Sequence, residues 1–427
     1  MRLTPALLGH TELLLTELLH SPFAADSVVS RHFRQHRELG HNDRAFAAET
    51  VYAVLRRKRS LSACCFGEIT ARRLVLAALS LVQGLNRREL EPVIDAAEAE
   101  WLARAKAVRF DELPAAVRLD LPDWLHEALS SQYAADELQK LVDGLNQAAP
   151  LDLRVNEMKA GRDAVLSALR AEGIDADVCR FSPLGIRLIG KPFLSRHPLF
   201  LDGSVEVQDE GSQLLGFLLQ PKRGEMVADF CAGAGGKTLL LGAMMRSRGR
   251  LYAFDVAEKR LTRLKPRLKR SGLSNVYPAR IDSEHDIKIK RLAGKLDRVL
   301  VDAPCSGLGT LRRNPDLKWR QGPEGIAELI DKQASILRAA AGLVKPGGRL
   351  VYATCSLLDG ENDGVVDGFL ASHPEFAPVS AGEILRGQGI AVDTGARLRL
   401  APHRHGTDGF FAVVVVRGQS LERTEDR

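Results

Sequence analysis

The stretch EMVADFCAGAGGKTLLLGAMMRS (225–247) decides the fold of the second half of the chain. It begins as an apolar segment, passes through a turn with three glycines and continues as an apolar run. A buried strand, a glycine-rich turn and a helix in this order are typical of a doubly wound α/β sheet. The glycines Gly233, Gly235 and Gly236 allow a ligand to approach the backbone closely at the N-terminus of the helix.

Strands and helices continue to alternate after this stretch. The apolar strand RLYAFDVA (250–257) is followed by the helical segment EKRLTRLKPRLKRSG (258–272). Further apolar strands are LDRVLVDAP (296–304), GRLVYATCS (348–356) and GFFAVVVVR (409–417). Near-continuous apolar strands joined by helices predict a mostly parallel, doubly wound sheet over residues 205–427.

The first half of the chain has a different texture. Residues 1–135 read as one helix after another, with basic residues at the end of DRAFAAETVYAVLRR (43–57), and predict an all-α domain. Residues 136–204 combine the strand LDLRVN (151–156), the helix AGRDAVLSALRAEGI (160–174) and short strands in DVCRFSPLGIRLIG (177–190). This second region predicts a small α+β module.

Composition sets broad limits on the class of protein. The 427 residues are 45% hydrophobic and 27% charged, which is ordinary for a globular protein, and the net charge of +6 suits a polyanionic partner. The six cysteines form no C-x-x-C pair and have no histidines at zinc spacing, so we expect no metal and a reducing cytoplasm. No apolar run is long enough to predict a membrane span, and a monomer is the default expectation.

Acidic residues at the strand ends indicate a nucleoside ligand. The glycine turn is no P-loop, because Cys231 stands where that motif requires its first glycine. Asp255 ends the next strand, 22 residues after Gly233, where an acid accepts both ribose hydroxyls. Asp282 ends the expected third strand and can contact an adenine amino group, although the same residue is equally typical of a plain turn.

Two cysteines follow two neighbouring strands. Cys305 comes after RVLVDAP and Cys355 after RLVYAT, so we expect both thiols to face one crevice. Either cysteine alone is more typical of a core residue. Beside a methyl donor, a thiolate that adds to carbon-6 of a pyrimidine makes carbon-5 able to attack a sulfonium methyl group, after which a base removes the carbon-5 proton. An acid such as Asp302, when it is protonated or shares a proton, can stabilise the ring nitrogen as charge develops.

These motifs resemble the RsmB/Nop2/Sun-type RNA cytosine-5 methyltransferases. The matching segments are VQDEGSQ (207–213), DFCAGAGGKT (229–238), AFDVAEKRL (253–261), DRVLVDAPCSGLGTLRRNPDLKW (297–319), YATCSLLDGEN (352–362) and GTDGFF (406–411). LGHNDRAFAAETVYAVLRR (39–57) is similar to the NusB-like RNA-binding extension of the bacterial ribosomal-RNA enzymes. The resemblance implies a multidomain chain: an all-α NusB-like domain (1–135), a small α+β module (136–204) and a Rossmann-like methyltransferase domain (205–427).

The resemblance also implies a cofactor, a substrate and roles for individual residues. The cofactor is S-adenosylmethionine and the partner is RNA, with small-subunit ribosomal RNA as the expected substrate and a target base that is flipped out. Cys355 is the expected nucleophile, Cys305 assists proton removal and product release, and Asp302 and Lys237 contact the target base and the cofactor. The expected cofactor residues are Cys231, Ala232, Gly233, Ala234, Gly235, Gly236, Lys237, Asp255, Asp282 and Asp302, and the expected RNA contacts are Arg312, Arg313 and Lys318.

The chain departs from the family pattern at two places, and other functions remain open. Ala234 replaces the usual proline of the glycine turn, and Asp359-Gly360-Glu361-Asn362 replaces Pro-Glu-Glu-Asn. A transfer-RNA cytosine-5 methyltransferase and a catalytically silent RNA-binding ribosome-assembly factor are the main alternatives. A DNA cytosine-5 methyltransferase would use Cys305 as its nucleophile, and the helical extension and Cys355 argue against it.

Overall fold

The computed structural model of the protein describes residues 3–190 and 192–419. The chain forms two compact units, which are interleaved along the sequence. One consists of Met1–Gln147 with Leu311–Pro323, and the other of Ala148–Thr310 with Glu324–Arg427. Among the described residues, no helix combines the length and the apolar character needed to cross a membrane.

The first unit is built from helices around an apolar core. Leu14, Val51 and Leu76 are fully buried in this core. The segment ARRLVLAALSLVQGL (71–85) forms a helix that continues into a π-helical turn at Ala78–Val82. The helices before residue 148 are α1 Pro5–His20, α2 Ala25–Gln35, α3 His41–Arg56, α4 Lys58–Ala63, α5 Ala71–Ala77, α6 Arg87–Leu90, α7 Ala96–Lys106, α8 Ala115–Arg118, α9 Asp123–Ser130 and α10 Ala135–Leu145.

The second unit begins with a four-stranded antiparallel sheet in the order β2-β3-β1-β4. Its apolar face packs on the helix α11, where Val165 and Leu169 are buried. The elements are β1 Leu151–Val155, α11 Arg162–Ala171, β2 Ala176–Val178, β3 Gly185–Leu188, α12 Pro198–Leu201 and β4 Val205–Val207.

An eight-stranded mixed sheet follows in the same unit. Its main path has the order β10-β12-β9-β8-β5-β6-β7, and β11 pairs with β12. Strands β5 to β9 are parallel to their neighbours in this group, whereas β10, β11 and β12 are antiparallel. The elements are α13 Glu210–Leu219, β5 Met226–Asp229, α14 Gly236–Met244, β6 Arg250–Asp255, α15 Glu258–Ser271, β7 Val276–Arg280, α16 Ile287–Lys290, β8 Leu296–Asp302, α18 Pro323–Ala341, β9 Val344–Thr354, α19 Val365–Ser372, β10 Phe376–Val379, α20 Ala381–Arg386, β11 Leu398–Leu400, α21 Pro402–His405 and β12 Phe410–Arg417. Between β8 and α18 the chain forms α17 Leu317–Arg320, which is part of the first unit.

The strand order reverses next to β5. The chain runs from β5 to β6 and β7 on one side, and then returns to β8 and β9 on the other side. In doubly wound sheets a ligand binds outside the carboxyl ends of the strands at such a reversal. The reversal in this sheet therefore brings Asp229, at the end of β5, and Asp302, at the end of β8, to the expected binding crevice.

The short helix α17 belongs to the helical unit, although the sequence analysis assigned residues 205–427 to one continuous domain. Its Trp319 donates an indole hydrogen bond to the carbonyl oxygen of Leu55 at 2.7 Å, and Lys318 Nζ donates to the carbonyl oxygen of Arg56 at 2.9 Å. Leu311–Pro323 thus leaves the second unit after β8 and belongs to the first, helical unit.

Candidate active site

A cavity of about 490 Å³ lies at the carboxyl ends of the central parallel strands in the second unit. This volume falls within the range of about 300–1,000 Å³ that is usual for small-molecule sites. Of the predicted site residues, Cys231, Ala232, Gly233, Ala234, Gly236, Lys237, Asp255, Asp302, Cys305 and Cys355 line it. The structure therefore brings the glycine turn, two strand-end acids and both cysteines together.

The glycine turn is held against the end of β6. Asp255 accepts hydrogen bonds from the backbone N–H of Gly233 at 2.8 Å and of Ala257 at 2.7 Å, which fixes its carboxylate at the cavity wall. Gly235 does not line the cavity, but its φ of +86° and a clash of 2.1 Å between any added Cβ and Leu264 Cδ1 require glycine there. The turn and the acid therefore form one rigid element.

The acids Asp229 and Asp302 and the lysine Lys237 also line the cavity. Lys237 Nζ forms an ion pair with Asp302 Oδ2 at 2.7 Å. Burial acts to lower the pKa of Lys237, but Asp302 together with Cys355 and Asp229 outweighs it, so the pKa is raised and the side chain is an ammonium. Burial, with the nearby charge of Asp302, raises the pKa of Asp229 to about 7.

One oxygen of the Asp229 carboxyl has no hydrogen-bond partner. Its Oδ2 accepts from Thr238 Oγ1 at 2.7 Å, whereas the buried Oδ1 is unsatisfied. Leaving a buried polar atom without a partner costs about 1–3 kcal/mol. A donor group on a bound ligand would remove this cost.

The two cysteines are in direct contact. Their sulfur atoms are 3.4 Å apart, and the backbone N–H of Cys355 donates to Cys305 Sγ at 3.3 Å. The hydrogen bond with Cys355 and burial raise the pKa of the Cys305 thiol well above its usual range. The arrangement gives two thiols in one cavity with Cys305 held in its protonated form.

Glu361 joins the two loops that carry these thiols. Its buried carboxylate accepts from the backbone N–H of Ser306 at 2.8 Å, from the hydroxyl of Ser306 at 2.5 Å and from the hydroxyl of Ser356. The amide of Gln333 donates to the same carboxylate at 2.8 Å. Sequence reasoning recognised the Asp-Gly-Glu-Asn segment but gave Glu361 no role, because the partners of its carboxylate are remote in the chain.

The glycine turn also receives support from residues that the sequence analysis did not select. Arg154, on β1, is buried and donates to the carbonyl oxygen of Gly236 at 2.6 Å and to Gln208 Oε1. Arg267, on α15, donates to the carbonyl oxygen of Ala234 at 2.6 Å and pairs with Glu206 at 2.8 Å. Gln208 lies in the quoted motif VQDEGSQ, whereas nothing in the sequence singled out Arg154.

Asp282 is not part of this cavity. Strand β7 ends at Arg280, and the Asp282 side chain is 82% exposed and pairs with Arg280 at 3.0 Å. Ile281 and Glu284 line the cavity instead. Glu284 is anchored by Lys332 at 2.6 Å and by Ser335 at 2.7 Å, and these contacts lower its pKa to about 2 although its partial burial opposes them.

The three residues predicted to contact RNA lie in the helical unit, and none of them is fully exposed. Lys318 is 1% exposed, and its ammonium is enclosed by the carbonyl oxygen of Arg56 at 2.9 Å and Asn146 Oδ1 at 3.4 Å. Arg312 is also buried, with its carbonyl oxygen accepting from Arg56, and Arg313 is half-buried. An internal charge that already has protein partners is not available to a phosphate, so Lys318 and Arg312 are not retained as RNA contacts.

The fold and the site together define a class of protein. A sheet whose order reverses beside a glycine turn, with an acid at the end of the next strand, is the arrangement of a Rossmann-like methyltransferase domain. The cavity adds two thiols in contact with each other at the ends of β8 and β9.

Comparison with known proteins gives the particular family. A family model described as 16S rRNA methyltransferase RsmB/F matches residues 216–415, and a model of the ferredoxin-like domain of RsmF/B-like proteins matches residues 121–192. The probable ribosomal RNA small subunit methyltransferase B of Synechocystis sp. is 32% identical, over 93% of this chain and 96% of the relative. The chain belongs to the RsmB/F family of ribosomal RNA methyltransferases.

Further relatives agree with this assignment. The probable ribosomal RNA small subunit methyltransferase B of Bacillus subtilis is 36% identical, over 68% of this chain and 65% of the relative. The crystal structure of PH0851 has a TM-score of 0.79 and 26% identity, and covers 97% of this chain and 99% of that one. Membership of this methyltransferase family confirms the predicted cofactor, S-adenosylmethionine.

Proposed function

We propose that the protein transfers a methyl group from S-adenosylmethionine to carbon-5 of a cytosine in small-subunit ribosomal RNA, through a covalent bond between Cys355 and carbon-6. The observation that carries this proposal is the pair of thiols, 3.4 Å apart, in a cavity that also contains the glycine turn. Methylation of an amino group or a hydroxyl requires no cysteine, whereas methylation of pyrimidine carbon-5 requires a nucleophile. The names of the relatives support the RNA substrate.

The residues of the cavity fit the cofactor. Asp255, with both oxygens anchored by backbone N–H groups on one side, offers its remaining lone pairs to the ribose hydroxyls. Ile281 and Val256 supply apolar surface for the adenine. The unpartnered Asp229 Oδ1 offers an acceptor for an amino group of the cofactor. When bound, S-adenosylmethionine supplies an electrophilic sulfonium methyl group.

In the proposed reaction the Cys355 thiol loses its proton to water, and its sulfur forms a bond with carbon-6 of the cytosine. The electron pair of the carbon-5–carbon-6 double bond moves to carbon-5, which becomes the methyl acceptor. Asp302 contacts the base, and the ammonium of Lys237 balances the negative charge that collects in the cavity. The ammonium of Lys237 interacts electrostatically with Cys355, and this supports Cys355 in the attacking role.

The reaction ends with the loss of the carbon-5 proton. Once the Cys305 thiol has lost its proton to water, its sulfur takes the carbon-5 proton and becomes a thiol again. The electron pair of the broken carbon–hydrogen bond restores the double bond and expels the Cys355 sulfur. The 3.4 Å contact between the two sulfur atoms supports this role for Cys305.

We also propose a NusB-like, RNA-binding role for the helical unit, in a protein that acts as a monomer in the cytoplasm. The net charge of +6 supports RNA binding. All six cysteines are free thiols, which suits a reducing compartment. Of the RNA contacts expected from the sequence, Arg313 stays in the proposal.

The test is transfer of a tritiated methyl group from S-adenosylmethionine to small-subunit ribosomal RNA purified from a strain in which the gene is deleted. We expect incorporation of label into this RNA, none into the RNA of the parent strain, and a single 5-methylcytosine by bisulfite sequencing. Transfer RNA from the deletion strain is the matched substrate. Labelling of the transfer RNA alone would show that transfer RNA, and not ribosomal RNA, is the substrate. RNA binding without any methyl transfer would support an assembly factor.

A further inference from the structure

Three histidines converge in the helical unit, far along the chain from the cysteine site. His10 lies on α1, and His32 and His36 lie four residues apart at the end of α2. Each histidine presents a ring nitrogen, and these three atoms all lie within 4.8 Å of one another. The His32 side chain is fully buried, while those of His10 and His36 are 23% and 26% exposed. We refer to these three residues as the histidine cluster.

A carboxylate lies next to one ring nitrogen of every member of the histidine cluster. His32 Nδ1 is 3.2 Å from Glu17 Oε1, and His36 Nδ1 is 2.9 Å from Glu38 Oε1. His10 Nε2 is 3.6 Å from the same oxygen of Glu38. Histidines that bind a metal commonly donate their other ring N–H to a carboxylate, which orients the ring and increases the basicity of the binding nitrogen.

The opposite nitrogens of the two inner rings have no partner. His32 Nε2 and His10 Nδ1 are both buried and make no hydrogen bond. Each unsatisfied buried nitrogen carries a cost of about 1–3 kcal/mol. Two orphaned nitrogens in one cluster, each on a ring whose other nitrogen faces a carboxylate, are therefore a second and independent sign of a missing ligand.

We propose that His10, His32 and His36 bind a transition-metal ion, with Zn²⁺ as the ion expected in the cell, and that Glu17 and Glu38 orient the imidazoles. Three imidazole nitrogens suit Zn²⁺ and Co²⁺ and do not suit Mg²⁺ or Ca²⁺. In a tetrahedral site with metal–nitrogen bonds of about 2.0–2.1 Å, the ligand atoms lie about 3.3 Å apart, so small side-chain rotations close the present spacing. Water fills the fourth position.

The metal would fasten α1 to the end of α2 and to the loop that carries Glu38. The spacing of cysteines and histidines in the sequence predicted no metal, because that signal depends on cysteines and this site uses none. His10 is separated from His32 by more than 20 residues, so only the packing of the two helices reveals the cluster.

The test is titration of the full, untagged chain with Co²⁺ after removal of metals with a chelator. We expect one equivalent of Co²⁺ to bind, with the visible absorption of a nitrogen- and oxygen-ligated ion and no thiolate-to-cobalt band, and we expect Zn²⁺ to displace it. His36→Ala should weaken Co²⁺ binding by about 100-fold or more, and Glu17→Gln by about 10–100-fold. His36 is the first choice because its partial exposure makes the variant less harmful to folding than one at His32.

His126→Ala, on α9, is the matched control and should bind Co²⁺ as the parent chain does. His10→Ala provides a second ligand variant, and circular dichroism establishes that each variant is folded. Absence of Co²⁺ binding by the parent chain, a thiolate-to-cobalt band, or unchanged affinity in folded His36→Ala and His10→Ala would each overturn the proposal.

Discussion

The surroundings of Cys305 and Cys355 differ although their sulfur atoms are in contact. Cys305 Sγ accepts the backbone N–H of Cys355, and its pKa is raised by the hydrogen bond to Cys355 and by burial. Lys237, whose ammonium pairs with Asp302, also interacts electrostatically with Cys355. Cys305 is thus held as a thiol, whereas Cys355 has the ammonium of Lys237 within electrostatic reach.

Replacing each cysteine separately tests this division of roles. Cys355→Ala should abolish methyl transfer and form no covalent RNA adduct, because no sulfur can add to carbon-6. Cys305→Ala should accumulate a covalent adduct that survives a denaturing gel, because the carbon-5 proton is no longer removed. Cys64→Ala, in the core of the helical unit, is the control and should methylate RNA normally. An exchange of the two phenotypes would reverse the assignment.

Glu361 is a positioning residue, since its carboxylate contacts both cysteine loops and does not line the cavity. Glu361→Gln turns an acceptor into a donor opposite Ser306 and Ser356. We expect kcat to fall by about 10–100-fold, with the KM for S-adenosylmethionine nearly unchanged, and a destabilisation of about 1–3 kcal/mol. Asp359→Asn, on the same turn but 51% exposed, should have little effect on either quantity. Equal losses in the two variants would contradict this role.

At the scale of elements, α17 contributes a charge to the interior of the helical unit. Burial lowers the pKa of Lys318 to about 7, compared with about 10.4 for lysine in an unfolded chain. Between these two pH values the unfolded chain binds more protons than the folded one. The free energy of unfolding therefore rises with pH from about 7 to 10, and below pH 7 the cost of the buried ammonium is constant.

The corresponding prediction concerns Lys318→Met. Relative to this variant, the parent chain should gain stability as the pH rises from 7 to 10, by at most about 1.4 kcal/mol per pH unit. Urea unfolding at pH 7, 8 and 9 measures the difference. Lys106→Met, at an exposed position at the end of α7, should show no such pH dependence relative to the parent chain. A difference between parent and Lys318→Met that stays flat over this range would show that burial does not lower the pKa of Lys318.

The sequence predicted the central strands well and their edges less well. Strands β5, β6, β8 and β9 were recognisable because strands buried on both faces read as continuous apolar runs. The same signal identified β12, but it carries no information about pairing, so the antiparallel direction of β12 was not predicted. Asp282 was misplaced because β7 ends at Arg280 and the buried side chain of the next stretch is Ile281, which leaves Asp282 facing solvent.

At the scale of the whole molecule, the helical unit is completed by a segment inserted between β8 and α18. Local patterns in LRRNPDLKW (311–319) indicate a basic loop, because the groups that contact Lys318 and Trp319 come from residues more than 170 positions earlier. The cysteine site could be anticipated from motifs that follow two neighbouring strands. The boundary between the units could not be predicted from these motifs, because it depends on packing between residues that are far apart in the chain.

A chain truncated to residues 148–427 tests this arrangement. It lacks the groups that enclose Lys318, so we expect trypsin to cut rapidly after Lys318, whereas the full chain resists cleavage there because the side chain is 1% exposed. Mass spectrometry of the fragments over time gives both rates. Cleavage after the exposed Lys295, within the retained unit, serves as the internal control and should change little. Equal protection of Lys318 in both chains would contradict the interleaved organisation.

The insertion of Leu311–Pro323 into the helical unit also bears on how the protein is made. The ribosome releases the first 147 residues about 160 residues before the segment that completes their core. At about 5–20 residues per second this interval lasts about 10–30 s. During that time the nascent helical unit lacks Lys318 and Trp319. The backbone carbonyl oxygens of Leu55 and Arg56 therefore lack the hydrogen bonds that these two side chains donate in the full chain. The N-terminal unit therefore reaches its final form only after translation has passed residue 323, well into the methyltransferase unit.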